Sequence, residues 1–210
     1  ALAKNVALSP WHRIGPFGEG DLKKAHERAF INETEVDLEK NHGNLKWEPA
    51  GNLQDGKQHQ LTGSNCSTYL FRTIHSGIEQ ERELSIGSDD SFKIWLNGNL
   101  VVDKYISRGL APDQDKVKVR LAKGENKLLF KVSNGGGGYG FYFKTEAIPL
   151  PGDVVTAMQV ELAKRTEEQR ATLATYYQTL AGELDPIRRE TEAKRQDLAK
   201  WLNEKQDALN

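Results

Sequence analysis

The stretch from residue 81 to 103, Glu-Arg-Glu-Leu-Ser-Ile-Gly-Ser-Asp-Asp-Ser-Phe-Lys-Ile-Trp-Leu-Asn-Gly-Asn-Leu-Val-Val-Asp, commits the chain to antiparallel sheet. Leu84 and Ile86 alternate on one face of a strand, residues 87–91 interrupt it, and Phe92, Ile94 and Leu96 share a face of the next. Asn97-Gly98 supplies the two central residues of a tight hairpin, both of which must accept positive φ, and Leu100 and Val102 then run back. The expected product is a three-strand meander, with an acidic loop at Asp89-Asp90 on one end and a tight turn at the other.

The same grammar recurs on both sides. Residues 11–17 read as a strand ended by Gly15-Pro16, residues 21–30 as a short helix capped by Asp21, and residues 45–49 as a strand containing Trp47. Residues 67–75 alternate, with Tyr69, Phe71 and Thr73 against Leu70, Arg72 and Ile74. Val117, Val119 and Leu121 alternate again, a turn at 122–125 follows, and strands at 128–132 and 140–145 complete the set. Seven or eight short strands with no long helix between them predict a mainly β fold, an antiparallel jelly-roll β-sandwich over residues 1–148. Between the last two strands stand four consecutive glycines, 135–138. Their entropic cost exceeds what a plain link would justify, so a ring or a ligand is expected to approach that backbone closely.

After Ile148-Pro149-Leu150-Pro151-Gly152 the composition changes, and residues 149–152 read as a linker. From 153 onward Val155, Met158, Leu162, Leu173, Tyr176 and Leu180 recur at helical spacing, with Glu161 and Arg165 as an i,i+4 pair. One helix of roughly 40 Å is expected over about 153–181. Gly182 suits its C-terminus, and Asp185-Pro186 opens a second helix over about 186–209, carrying Ile187, Thr191, Leu198, Trp201 and Leu202. The result is a coiled-coil-like α-helical hairpin, with one proline-kinked helix as the alternative, and its middle is almost entirely charged. So thin a seam calls for a partner: a second copy, the sandwich, or further domains of a longer parent.

Composition removes several function classes. The 210 residues carry 29 basic and 30 acidic side chains, so neither nucleic acid nor an anionic membrane is an expected partner. Cys66 is the single cysteine, which excludes a disulfide framework or a thiolate metal cluster. No apolar run reaches the roughly 20 residues of a membrane span, and the start at Ala1 shows no charged-then-apolar leader. His12, His26, His42, His59 and His75 are scattered, no Gly-x-Ser-x-Gly elbow is present, and the glycine run lacks the Lys-Ser/Thr of a phosphate loop, so an enzyme is not expected.

The acidic pair is the best chemical constellation. Asp89 and Asp90 are hard oxygen ligands, candidates for Ca²⁺ and, through it, for vicinal sugar hydroxyls, with an ordinary Asx turn as the alternative. If the glycine run reaches the same end, its amides, the carboxylates and the Tyr139 ring would form one concave patch. Trp47, Trp95, Tyr105, Tyr139 and Tyr142 are candidate sugar platforms, and Asn134 a polar neighbour.

The run from Ser88 to Val102, with Lys-Gly-Glu-Asn-Lys-Leu-Leu at 123–129 and residues 134–143, resembles the galactose-binding-like sandwiches found beside glycoside hydrolases. Trp11, Gly15, Pro16 and Phe17, with the glycine run, are similar to the central region of planctomycete multidomain cytochrome-c-type proteins. The Asp-Asp pair also resembles protective-antigen-like lectin domains, which implies Asp89 and Asp90 as ligands to calcium and sugar. These resemblances imply a non-catalytic carbohydrate-binding module with a polysaccharide or glycan partner, in the periplasm or outside the cell. The alternative is a structural or assembly module, the sandwich serving as spacer and the helices as the docking element.

Overall fold

The computed structural model describes residues 6–18, 20–146, 151–158, 160, 162–180 and 185–207. The strands are β1 (Val6–Leu8), β2 (His12–Gly18), β3 (Glu48–Pro49), β4 (Gln58–Leu61), β5 (Cys66–Ser76), β6 (Gln80–Asp89), β7 (Ser91–Leu96), β8 (Asn99–Lys104), β9 (Asp115–Leu121), β10 (Gly124–Asn134) and β11 (Tyr139–Lys144). The larger sheet runs β3-β2-β5-β10-β7-β8, with β1 also paired to β5, and the smaller runs β4-β11-β6-β9. Every pairing between these strands is antiparallel, and the fold is the mainly β sandwich expected.

Alternation explains the core between the sheets. Leu84 and Ile86 of β6, Phe92, Ile94 and Leu96 of β7, Leu128, Phe130 and Val132 of β10, and Phe141 and Phe143 of β11 all point into it. Phe130 meets the Phe92 and Phe141 rings edge-on, at 5.9 and 5.8 Å between centroids. At its margin the buried Arg72 lies 4.4 Å over the Trp11 ring and donates to both Asp55 oxygens, at 2.7 and 2.9 Å.

The expected meander is corrected at its first turn. β6 runs without interruption through Gly87 to Asp89, and it belongs to the smaller sheet, whereas β7 and β8 form a hairpin in the larger one. The inward residues stay even-numbered across the junction, from Leu84 and Ile86 to Phe92 and Ile94. A chain that steps between facing sheets keeps one side toward the core, so what looked like a broken strand is a crossing. The short strands β1 and β4 were not expected; three and four residues are too few for a periodic signal. The helix expected over 21–30 is the shorter α1 (Leu22–Glu27), with the Asp21 carboxylate accepting from the Lys24 amide at 2.8 Å.

Residues 28–47 cover the outer face of the larger sheet. Ile31 and Trp47 of this segment, with Phe30, Val36, Leu38 and Leu45, pack on Ile14, Tyr69, Phe71, Trp95 and Leu129 as a second apolar layer. The expected strand at 45–49 shrinks to Glu48–Pro49.

The long first helix of the hairpin is also corrected. It is broken into α2 (Gly152–Met158), a 3-10 turn (Leu162–Lys164) and α3 (Glu167–Leu180). Thr166 restarts the helix through a capping box: its hydroxyl accepts from the Gln169 amide at 3.2 Å, and Gln169 Oε1 accepts from the Thr166 amide at 3.0 Å. Val154, Ala157 and Leu173 are buried together, and the Tyr177 ring meets His75 of β5 edge-on at 5.4 Å. Arg165 donates to the Val160 carbonyl at 2.9 Å; its expected partner Glu161, residues 149–150 of the expected linker and Gly182 lie outside the described residues, and the last linker residue, Gly152, opens α2. The second expected helix is α4 (Asp185–Asp207).

Candidate functional site

Asp89 and Asp90 sit where the chain passes between the sheets, joined by a cis peptide bond. Asp90 is buried, and three donors engage its carboxylate. Ser107 Oγ and the Arg108 amide donate to Oδ1 at 3.0 and 2.9 Å, and the Gly135 amide donates to Oδ2 at 2.9 Å. The glycine run and the acidic pair therefore meet, as their expected position at one end of the sandwich requires. The bonds they make close inside the protein.

Residues 105–114, between β8 and β9, cross the smaller sheet at this point. Arg108 donates to Ser88 Oγ at 2.8 Å and to Asp115 at 2.6 Å, Gln114 accepts from the Ser88 amide at 3.0 Å, and Ser85 donates to Asp113. Asp89 accepts from the Leu110 amide; burial first, then the neighbouring Asp90, pushes its carboxyl up against that bond. A Cβ on Gly87 would collide with the Ala111 carbonyl and stand 3.0 Å from Tyr142 Cβ. Gly87→Ala should therefore lift this crossing segment and lower stability by about 2 kcal/mol. A melting temperature equal to wild type would show that the segment does not need the contact.

The donor set does not fit calcium. Both Asp90 oxygens are taken by N–H and O–H groups, the Arg108 guanidinium stands two residues away on Ser88, and among the described residues no group of three or more His, Cys, Asp or Glu side chains could hold a metal ion.

Three of the expected platforms and their polar neighbour are packed inside the domain. Tyr139 is fully buried in the core, its hydroxyl 2.7 Å from Thr68 Oγ1 and accepting from Cys66 Sγ at 3.5 Å. Burial is the main reason its hydroxyl titrates far above the ordinary tyrosine range. Asn134 is buried too: it donates to the Gly63 and Gly137 carbonyls at 2.9 and 3.2 Å and accepts from the Gly136 amide at 2.9 Å. These bonds shape the glycine run from within. Trp95 lies in the apolar layer under residues 28–47, and Tyr142 is buried beside Gly87 on the other sheet. As surface ligands these four are corrected, each for one of two reasons: a second layer of chain covers the sheet face on which the residue stands, or the residue points inward. Tyr105 is exposed and meets the His26 ring edge-on at 5.4 Å.

The remaining platform, Trp47, is buried in the same apolar layer as Trp95, and it lines a different feature. A groove of about 490 Å³ lies over residues 31–47. Its apolar lining is Ile31, Val36, Leu38 and Trp47, and its rim carries Glu35, Asp37, Lys40 and His42, with Lys127 of β10 opposite. Local bonds hold the rim. Asn32 Oδ1 accepts from the Thr34 and Glu35 amides at 3.2 and 3.3 Å, Asp37 accepts from the Glu39 amide at 2.9 Å, and His42 and Leu45 exchange backbone bonds of 2.8 and 3.1 Å. In the sequence these rim residues form a polar, turn-rich stretch with no regular period. Its one available signal was the scatter of Ile31, Val36, Leu38 and Leu45 among the polar residues, more apolar side chains than a free loop carries.

No protein-family model and no curated protein matches this sequence. Among solved structures the chain is similar to the PA14 domain of MpAFP antifreeze protein, at 12% identity over 67% of this chain and 84% of that one, with a TM-score of 0.41. It is similar to the PA14 sugar-binding domain from an RTX adhesin, at 12% identity over 69% and 90%, TM-score 0.41. A β-glucosidase from Kluyveromyces marxianus overlaps at 20% identity over 44% of this chain, TM-score 0.33, and the chain spans 12% of that enzyme's length.

Proposed function

We propose that the chain is a non-catalytic carbohydrate-binding module that holds a neutral glycan in the groove beside Trp47. The observation that carries this is the groove's composition: an apolar lining under a rim of two carboxylates, two ammonium groups and an imidazole. Sugar rings present C–H faces and hydroxyls that both donate and accept, so they match an apolar lining edged by donors and acceptors together; an anion would call for a rim of one sign. Glu35, Asp37, Lys40 and Lys127 are exposed, so the groove is open to water and suited to holding a sugar rather than to reactions that need a dry site. No described helix is long and apolar enough to cross a membrane. On this reading the chain is the glycan-holding part of a longer multidomain protein working in the periplasm or outside the cell.

Affinity electrophoresis against a panel of soluble polysaccharides is the test. At least one should retard the wild-type protein, and Glu35→Ala and Lys40→Ala should each weaken that binding about tenfold, with unchanged melting temperatures. Retardation by none of the panel, or full affinity in both variants, would refute the groove.

A further inference from the structure

We infer that α4 is a self-association element that pairs in parallel with α4 of a second copy of this chain. The helix is 23 residues long, and every side chain from Glu190 to Trp201 is exposed, including Leu198 at 57% and Trp201 at 52%. A helix that buries so little of itself has little tertiary packing to hold it, and packing is where most helical stability in proteins comes from. Thr191, Lys194, Leu198 and Trp201 are spaced by three, four and three residues, the a/d seam of a heptad, with Thr191 and Leu198 at a and Lys194 and Trp201 at d.

The charges choose the partner and its direction. In this frame Glu190 and Asp197 occupy the g positions, and Arg195 occupies an e position. A parallel pair sets each g residue against the e residue five places on in the other helix, so Glu190 of each copy faces Arg195 of the other, twice per dimer. An antiparallel pair would set g against g, acid against acid, and e against e. Lys194 lies 2.7 Å from Glu190 on its own helix, so in the pair each Glu190 carboxylate stands between that ammonium and Arg195 of the other copy and serves both. Thr191 and Lys194 make the seam weakly apolar, which favours a reversible two-stranded pairing over a larger bundle.

Sedimentation velocity on the full chain should show a concentration-dependent dimer that Leu198→Asp abolishes. Glu190→Arg should weaken dimerisation about tenfold, and Glu190→Arg combined with Arg195→Glu should restore it, because the charges are then exchanged. In a Cys66→Ala background, Leu198→Cys should form a disulfide-linked dimer on mild oxidation, since equivalent a residues face each other only in a parallel, in-register pair. A protein that stays monomeric up to its solubility limit would overturn the inference. So would cross-linking through Asp197→Cys but not Leu198→Cys, or a double charge variant no better than the single one.

Discussion

Replacing Asp90 with alanine should lower stability by about 3 kcal/mol, among the largest effects of any single substitution outside the apolar core. Its carboxylate holds the Arg108 amide, the Ser107 hydroxyl and the Gly135 amide at once, and the alanine leaves two of those backbone amides without their acceptor. Asp90→Asn should cost nearly as much, because the side-chain amide must turn its N–H groups toward another donor on one side or the other. The damage should be local in a diagnostic way: residues 105–114 should become the first site of limited proteolysis, because their tie to the crossing is cut. Millimolar calcium should leave the melting temperature of the wild type where it is. A calcium-dependent rise that Asp90→Asn removes would instead make the pair a metal site and retire the structural role.

The second large effect concerns Lys131, whose side chain is fully buried on the outward face of β10 beneath residues 28–33. Its ammonium donates to the His26 and Arg28 carbonyls at 2.9 and 2.6 Å and lies 3.4 Å from Glu33, between the Phe30 and Tyr69 rings at 5.4 Å each. Burial outweighs the Glu33 carboxylate, with Lys93 adding repulsion, and lowers its pKa from 10.5 to about 8. Between these values the unfolded chain holds a proton that the folded one has released, so unfolding takes up a proton and stability rises with pH. The contribution is full above the unfolded value and lost as pH falls through the folded one.

Tyr69 and Tyr139, both held protonated far above the ordinary tyrosine value of 10.0, reverse the trend once unfolded tyrosines begin to ionise. In a Cys66→Ala background, which removes a buried thiol whose raised pKa would pull the other way, denaturant midpoints should therefore rise from pH 8 to pH 10 by the equivalent of about 1 kcal/mol. Lys131→Met should flatten that rise. A rise of the same size in the variant would assign it to other groups.

Much of the sandwich is legible because alternation is enforced by burial on one face of a sheet. Tyr139, Phe141 and Phe143 share a parity, which by itself marks Tyr139 as a core residue rather than a sugar platform. Trp95 stands opposite Ile94 and Leu96, so its outward placement is readable; what hides it there, the layer of residues 28–47, is not, because that layer has no period. The capping box at Thr166 and Gln169 was readable as well, and it is the local chemistry that restarts the helix at α3. Asp90 marks the limit of the method. Its partners are 17, 18 and 45 residues away, and nothing in the local sequence separates a carboxylate that waits for a ligand from one that ties three segments of its own chain.

Four of the chain's passages between the two sheets lie at the Asp90 end: β4 to β5, β6 to β7, β8 to β9 and β10 to β11. Asp90 ties the second, third and fourth to one another, and Asn134 ties the fourth to the first through the Gly63 carbonyl. At the opposite end three passages cross, β3 to β4, β5 to β6 and β9 to β10. The sandwich is thus bound along one side like a book along its spine. When the sheets part they should part from the fore-edge, exposing Leu121 and Ile74 before Phe92, and the bound side should hold its geometry until the whole domain unfolds.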